Sequence, residues 1–129
     1  LSKRQMPVRA RVMSEGGAVC VTGEGLDDTL FFNRAGRSFS HGDAVFDGRY
    51  GAVLRRNGSL DLVMPAGSAL QAGAYCVRST GPAVHLRVRK GSAELHAEGA
   101  GQVTIEGPAV AATVDVPGPS FVVRRSWNT

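Results

Sequence analysis

The sequence predicts an all-β domain: an antiparallel β-sandwich, or a flattened barrel, of about ten or eleven short strands with negligible helix. Two observations lead to this fold class. The chain carries 17 glycines and 6 prolines spread along its length, and no stretch free of both exceeds ten residues, as in residues 26–35. Helices need about ten or more uninterrupted residues, so this spacing favours short strands joined by turns.

Eleven segments combine apolar or β-branched residues with flanking turn signals, and each is predicted to be a strand. In chain order they are VRARVM from Val8, AVCVT from Ala18, TLFF from Thr29, YGAVLR from Tyr50, LDLVM from Leu60, AYCVRS from Ala74, VHLRVR from Val84, AELHAE from Ala93, QVTIE from Gln102, AATVDV from Ala111 and FVVRR from Phe121. No fixed-period repeat accompanies them, which disfavours solenoids and propellers.

The segment DGRYGAVLRRNGSLDLVM predicts a β-hairpin with its turn at Asn57-Gly58. A two-residue turn sets Leu54 opposite Asp61 and mixes apolar with polar positions. A three-residue loop over 56–58, with Gly58 left-handed, sets Leu54 opposite Leu60 and makes one face apolar. We therefore predict the three-residue loop.

A second hairpin is predicted to turn at Lys90-Gly91, with a fully specified register. The core face pairs Val88 with Ala93, Leu86 with Leu95, and Val84 with Ala97. The opposite face pairs Arg87 with Glu94 and His85 with His96. An Arg–Glu pair directly across two strands stabilises by about 0.2–1 kcal/mol.

Length and composition predict one domain over 1–129, as a whole protein or as a fragment of a larger one. The net charge is +4, with 13 Arg against 2 Lys. Only 6% of the residues are aromatic and no basic run is interleaved with them, which argues against nucleic acid as a partner. No apolar run reaches the about 18 residues of a membrane span. The opening LSKRQMPVR resembles an internal starting point rather than a signal peptide.

Two cysteines, Cys20 and Cys76, are too few for a disulfide framework. A single bond between them is one interpretation, and closing so long a loop stabilises by about 4 kcal/mol in the entropic model. Two separate thiols are the alternative, and the sequence leaves the choice open.

The polar clusters of the sequence match no catalytic or metal signature, so we predict no catalytic residues, no metal and no cofactor. SHGD at 40–43 places its Ser, His and Asp on adjacent residues that point apart, which is a turn rather than a triad. His85 and His96 face each other, with Glu94 and Glu98 on the same side, but a metal site needs further ligands. The acids of GEGLDD at 23–28 match no calcium loop.

Residues 27–109 resemble the carboxy-terminal β-sandwich region of heparinase II/III-like polysaccharide lyases. The features are an acidic start before an apolar strand ending in Asn, the hairpin DGRYGAVLRRNGSL, then GSAL, STGPAVHL and GQVTIEGPA. In that family, β-sheet domains pack against a helical toroid that carries the catalytic Tyr and His. The present chain has no helical region, so no catalytic residue is carried over.

A competing resemblance is to FecR-type periplasmic sensor domains, through GDAVFDGRYGAV, NGSLDLVMPAGSAL, LRVRKGSAEL and VTIEGPAVAATVDVPGPSFVV. The stretch VDVPGPSF departs from that family, which carries an Arg-Gly-Thr stretch there. This resemblance implies a signalling module with a protein partner. A structural β-domain of an assembly or capsid is the third alternative.

The functional expectation is a non-catalytic accessory domain of a bacterial enzyme that acts on acidic polysaccharides, secreted or periplasmic. Its partners would be a catalytic domain or another protein subunit, and the acidic polysaccharide itself. Arginine forks suit carboxylates and sulfates. The predicted ligand-binding residues are therefore Arg87, Arg89 and Lys90, with Arg78 on a strand expected to lie near them.

Overall fold

The fold is described from a computed structural model, for residues 9–13, 18–32, 38–108, 110–118 and 122–128. These ranges form twelve strands and contain no helix. The strands are β1 (Arg9–Met13), β2 (Ala18–Gly23), β3 (Leu26–Phe32), β4 (Ser38–His41), β5 (Ala44–Arg56), β6 (Ser59–Ala72), β7 (Tyr75–Ser79), β8 (Ala83–Arg89), β9 (Ser92–Glu98), β10 (Gly101–Gly107), β11 (Val110–Val116) and β12 (Val122–Asn128).

The predicted fold class is confirmed: the chain is all-β, and its antiparallel strands form an open, sandwich-like sheet rather than a closed barrel. Each of the eleven predicted segments overlaps a strand. The prediction missed β4, whose residues Ser38–His41 pair with β5. It also made β5 and β6 too short, since they run for 13 and 14 residues.

The two long strands divide the sheet into two layers. The sheet runs β1-β2-β3-β5-β6-β7-β10-β11, and β4 joins β5, β8 joins β6, β9 joins β8, and β12 joins β9. The last part of β5 and the first part of β6 lie between β3 and β8, which makes a first layer of β1, β2, β3, β8, β9 and β12 around them. The other parts of β5 and β6 lie between β4 and β7, which makes a second layer with β10 and β11.

The bend between the layers is built from glycines around Phe46. The β5–β6 register shifts between Asp47 and Ala52. A Cβ atom at Gly51 or at Gly67 would stand 2.8 Å from the Phe46 ring, so only glycine lets both strands turn against that ring. Phe46 in turn contacts Phe31 of β3, with ring centroids 5.3 Å apart. One aromatic side chain of the second layer therefore packs directly on the first layer.

Both layers contribute to one hydrophobic core. From the first layer come Phe31, Val53, Leu62, Leu86 and Leu95, and from the second Phe46, Leu70, Val77, Val103 and Ile105, all almost fully buried. Buried and exposed residues alternate along β8, β9 and β10. The residues between the buried ones therefore point outward, on opposite sides of the molecule for the two layers.

The second predicted hairpin is confirmed at every pair, including Arg87 with Glu94 and His85 with His96. The predicted three-residue loop of the first hairpin is wrong. Arg56 pairs with Ser59 across a two-residue turn in which Asn57 and Gly58 have positive φ values of 23° and 83°. Leu54 therefore stands opposite Asp61. The Asn-Gly preference for this turn outweighs the apolar pairing that a longer loop would have given.

Cys20 and Cys76 are not joined to each other. They lie on β2 and β7, with β3, β5 and β6 between those strands in the sheet order. Burial raises the pKa of the Cys76 thiol, and Glu106 adds to this while Arg78 opposes it. Cys76 is consequently a protonated, weakly reactive thiol at neutral pH.

Within the described ranges there is no helix with the length and apolar character needed to cross a membrane.

Candidate functional site

An open cleft of about 700 Å³ lies at the end of the sandwich where several hairpin tips meet. The β2–β3, β5–β6 and β8–β9 hairpins line it with residues from 23–27, 55–60 and 88–90, and Tyr75 at the start of β7 adds a side chain from the second layer. Ligand clefts commonly have volumes of about 300–1,000 Å³. The cleft is therefore large enough for a small ligand or a short segment of a polymer.

A backbone contact fixes two of these tips side by side. The Asn57 amide donates a hydrogen bond to the Gly25 carbonyl over 3.1 Å. Gly25 has a φ of 70°, and a Cβ there would stand 2.2 Å from the Asn57 side-chain oxygen. The left-handed backbone at Gly25 favours glycine there, and the hydrogen bond holds the two tips side by side.

The described lining of the cleft carries four cationic side chains, Arg55, Arg56, Arg89 and Lys90, against the single carboxylate of Asp27. Arg55 is paired with Asp43 and Arg56 with Asp28. The hydrogen bond and charge of Asp28 raise the pKa of Arg56. The cleft therefore presents an excess of positive charge, with Arg55 and Arg56 already held in place by carboxylates.

Arg89 and Lys90 differ from these two arginines, because no carboxylate in the described part of the chain forms an ion pair with either. Both are exposed at the β8–β9 tip. Beside them lie the partly buried Leu60 and Tyr75, which pack against the core. A ligand with an anionic group and an apolar surface could therefore contact the cationic and the apolar side chains of the cleft at the same time.

The four arginine and lysine residues predicted as ligand-binding do not form one surface. Arg89 and Lys90 lie together at the cleft. Arg87 instead points from the outward face of the first layer and donates from Nε to Asp61 over 3.0 Å. Arg78, expected near it, is on the outward face of the second layer and donates to Glu106 over 2.6 Å. Both guanidinium groups are therefore already occupied, on opposite sides of the molecule.

The sequence reasoning missed Arg55, Arg56 and Tyr75. The sequence does contain a pattern that could have identified the two arginines. Arg55 and Arg56 come just before the Asn57-Gly58 turn, and Arg89 and Lys90 occupy the corresponding place at the turn with Gly91. In the structure Ser59 pairs with Arg89, which brings the two tips together. Nothing in the sequence marks Tyr75, because it reaches the cleft only through the folding of one layer over the other.

A second polar cluster lies on the outward face of the first layer, away from the cleft. Asp61 is nearly buried and accepts hydrogen bonds from His85 Nε2 at 2.8 Å and from Arg87 at 3.0 Å. Burial alone would raise the pKa of Asp61, but the two hydrogen bonds and the nearby positive charges outweigh it and lower that pKa. Asp61 is therefore a carboxylate that fixes two side chains of β8.

The remaining polar clusters bring no reactive set together. Asp43 of the SHGD segment is in the turn before β5 and is bound to Arg55. Asp28 is buried against Arg56, whereas its neighbour Asp27 lies on the cleft side. Among the described side chains, no three His, Cys, Asp or Glu residues are grouped to hold a metal ion.

No family model, no curated protein and no solved structure matches this chain.

Proposed function

We propose that this chain is a non-catalytic domain that binds an acidic polysaccharide in the end cleft and thereby assists an enzyme acting on that polymer. The observation that carries the proposal is the placement of Arg89 and Lys90 in an open cleft with no carboxylate of the described chain to neutralise them. Cations left without a partner beside paired ones are available for an external anion.

The chemistry of the cleft favours an anionic sugar over other anions. Arginine binds carboxylates and sulfates through paired hydrogen bonds, and lysine adds a point charge. The apolar surface of Tyr75 and Leu60 suits the face of a sugar ring. Because the cleft is open to one side, a polymer chain can pass through it with only a few residues bound. A secreted or periplasmic location agrees with such a ligand.

The test is a titration of the purified domain with heparin, hyaluronan and alginate at low and at physiological salt. We expect binding to at least one of them that persists at physiological salt, where exposed charges more than about 8 Å apart are screened. Product formation is followed in parallel. Turnover by this chain alone would contradict the non-catalytic assignment.

A matched pair of variants separates the cleft from general basicity. Arg89→Gln with Lys90→Gln removes two charges at the cleft, and Arg78→Gln with Arg124→Gln removes two exposed charges elsewhere. We expect the first variant to bind about tenfold more weakly or worse, since a charged hydrogen bond contributes about 1.5–3 kcal/mol. The second variant should bind within about twofold of the unmodified domain. Equal losses in both would place binding on the general surface charge, and absence of binding in the unmodified domain would overturn the proposal in favour of a protein partner.

A further inference from the structure

His85 and His96 lie directly opposite each other on β8 and β9, and both point outward from the first layer. Their ring centroids are 6.3 Å apart. Their side chains are 36% and 40% exposed, so solvent and ions reach both rings. Side chains at directly paired positions of antiparallel strands have Cβ atoms about 4.5–5.5 Å apart, which is close enough for both to reach one ligand.

The orientation of His85 is set from β6, on the other side of β8. His85 Nε2 is 2.8 Å from Asp61 Oδ1, and the Asp61 side chain is only 12% exposed. Arg87 donates to the same carboxylate oxygen, which keeps Asp61 ionised. An ionised carboxylate can only accept a hydrogen bond, so Nε2 of His85 carries the proton in this contact. In the neutral His85 ring, the free lone pair then lies on Nδ1. Metal-binding histidines are held by carboxylates in this same way, which fixes the tautomer and raises the basicity of the free nitrogen.

The two rings are near enough to bind one metal ion after a small side-chain rotation. Metal–nitrogen bonds of about 2.0–2.1 Å place two imidazole centroids about 4.5–6.5 Å apart, depending on the angle at the metal. The observed separation of 6.3 Å corresponds to a nearly linear N–metal–N angle, so a tetrahedral site requires the two rings to approach each other by about 1 Å. In the described part of the chain, the ion-pair partner of His96 is the exposed carboxylate of Glu94, 3.5 Å from Nε2. This long contact leaves the His96 side chain room to rotate toward His85.

We propose that His85 and His96 form a two-imidazole site for a divalent transition metal, with Asp61 as a positioning residue. Imidazole nitrogen selects zinc, nickel and copper over magnesium and calcium. Because no larger group of ligands converges in the described chain, the other coordination positions are left to water, to Glu94 or to an external ligand. The guanidinium groups of Arg87 and Arg124, the latter paired with His96 in register, oppose the added charge and hold the affinity below that of a structural zinc site.

The experiment titrates the full chain with Ni²⁺ and Zn²⁺, which do not oxidise its two thiols, and with Mg²⁺ as the control ion. Binding is measured by calorimetry and by the rise in Tm with metal concentration, because an ion that binds the native state better than the unfolded chain stabilises it. We expect one equivalent of Ni²⁺ or Zn²⁺ per chain, a rise in Tm, and no effect of Mg²⁺ at the same concentration.

Four variants complete the test. His85→Gln and His96→Gln should each lose at least about tenfold in affinity, since each removes one of two ligands. His41→Gln alters the remaining histidine, on β4 in the other layer, and should bind as the unmodified chain does. Asp61→Asn should bind about 10–100-fold more weakly while both ligands stay present, and the Ni²⁺ spectrum should still report two imidazoles at saturation. Unchanged binding in His85→Gln or His96→Gln, or an equal loss in His41→Gln, would overturn the site.

Discussion

Arg55 and Asp43 form an ion pair of 2.5 Å that joins the two layers of the sandwich. Arg55 is next to the β5–β6 tip of the first layer, and Asp43 is in the β4–β5 turn of the second. The two ends of one strand, β5, are thereby connected through Arg55, which lines the cleft. Both side chains are substantially exposed, so the pair positions Arg55 more than it stabilises the fold.

Asp43→Asn should strengthen the binding of an acidic polysaccharide, because it removes the carboxylate that competes for Arg55. One unit charge at about 4 Å in water is worth about 1 kcal/mol, so we expect binding to be about fivefold tighter at low salt. The free energy of unfolding should change by less than about 1 kcal/mol. Asp47→Asn is the control, since it makes the same charge change near the bend of β5. An equal gain in both variants would show that net charge alone is responsible.

Arg87 should couple more strongly to Asp61 than to Glu94, although Glu94 is its direct cross-strand neighbour. Asp61 is nearly buried, whereas Glu94 is exposed and interacts with His96. Two double-mutant cycles measured by urea unfolding compare these pairs. We expect the Arg87–Glu94 coupling to stay within about 0.2–1 kcal/mol and the Arg87–Asp61 coupling to exceed it. The reverse order would contradict the hydrogen-bond geometry.

Asp61 should stabilise the fold in a pH-dependent way. Its pKa is lowered in the folded chain below the usual 3.8, so its contribution is fully present above that pH and is lost as pH falls through the folded value. Asp61→Asn should cost about 1–3 kcal/mol at neutral pH. The difference between variant and unmodified protein, measured by urea unfolding, should shrink as the pH falls below 3.8. A difference that stays constant down to pH 2 would show that the carboxylate charge is not responsible.

Gly51→Ala should destabilise the fold, because the added Cβ would stand 2.8 Å from Phe46. Overpacking of this kind costs about 1–3 kcal/mol. Phe46→Leu shortens the obstructing side chain, so the double variant should lose less than the sum of the two single variants. Thermal or urea unfolding of the four proteins measures this. Strict additivity would mean that the ring and the glycine do not constrain each other.

The sequence predicted the fold class and the β8–β9 hairpin because alternation and turn residues act locally. Val84, Leu86 and Val88 alternate with polar residues, and the turn at Lys90-Gly91 leaves one register that buries them. At the first hairpin, the same criterion of apolar pairing led to the wrong loop. The two-residue Asn57-Gly58 turn sets Leu54 opposite Asp61. The structure tolerates this pairing because Asp61 is hydrogen-bonded by His85 and Arg87 of β8, which is not adjacent to the turn in sequence.

The sequence singled out only two of the cationic residues that line the cleft, and it did not predict the cleft itself. Arg89 and Lys90 stand out as cations at a turn, but Arg55, Arg56 and Tyr75 reach the same place only when three hairpins and two layers meet. The separation of Arg78 from Arg87 depends on which part of β6 each neighbouring strand pairs with. One long strand that pairs with two different partners along its length shows no distinctive hydrophobic periodicity in the sequence.

The continuity of β5 and β6 through both layers also determines how the domain comes apart. Each layer contains part of the same β5–β6 hairpin, so the backbone pairing continues from one layer into the other. Both layers also share one hydrophobic core, in which Phe31 of the first layer contacts Phe46 of the second. Loss of either layer therefore exposes the core residues of the other. We therefore expect the two layers to open as a single cooperative unit. Native-state hydrogen exchange should then give the same free energy of opening for amides at the centre of β8 and at the centre of β10, one from each layer.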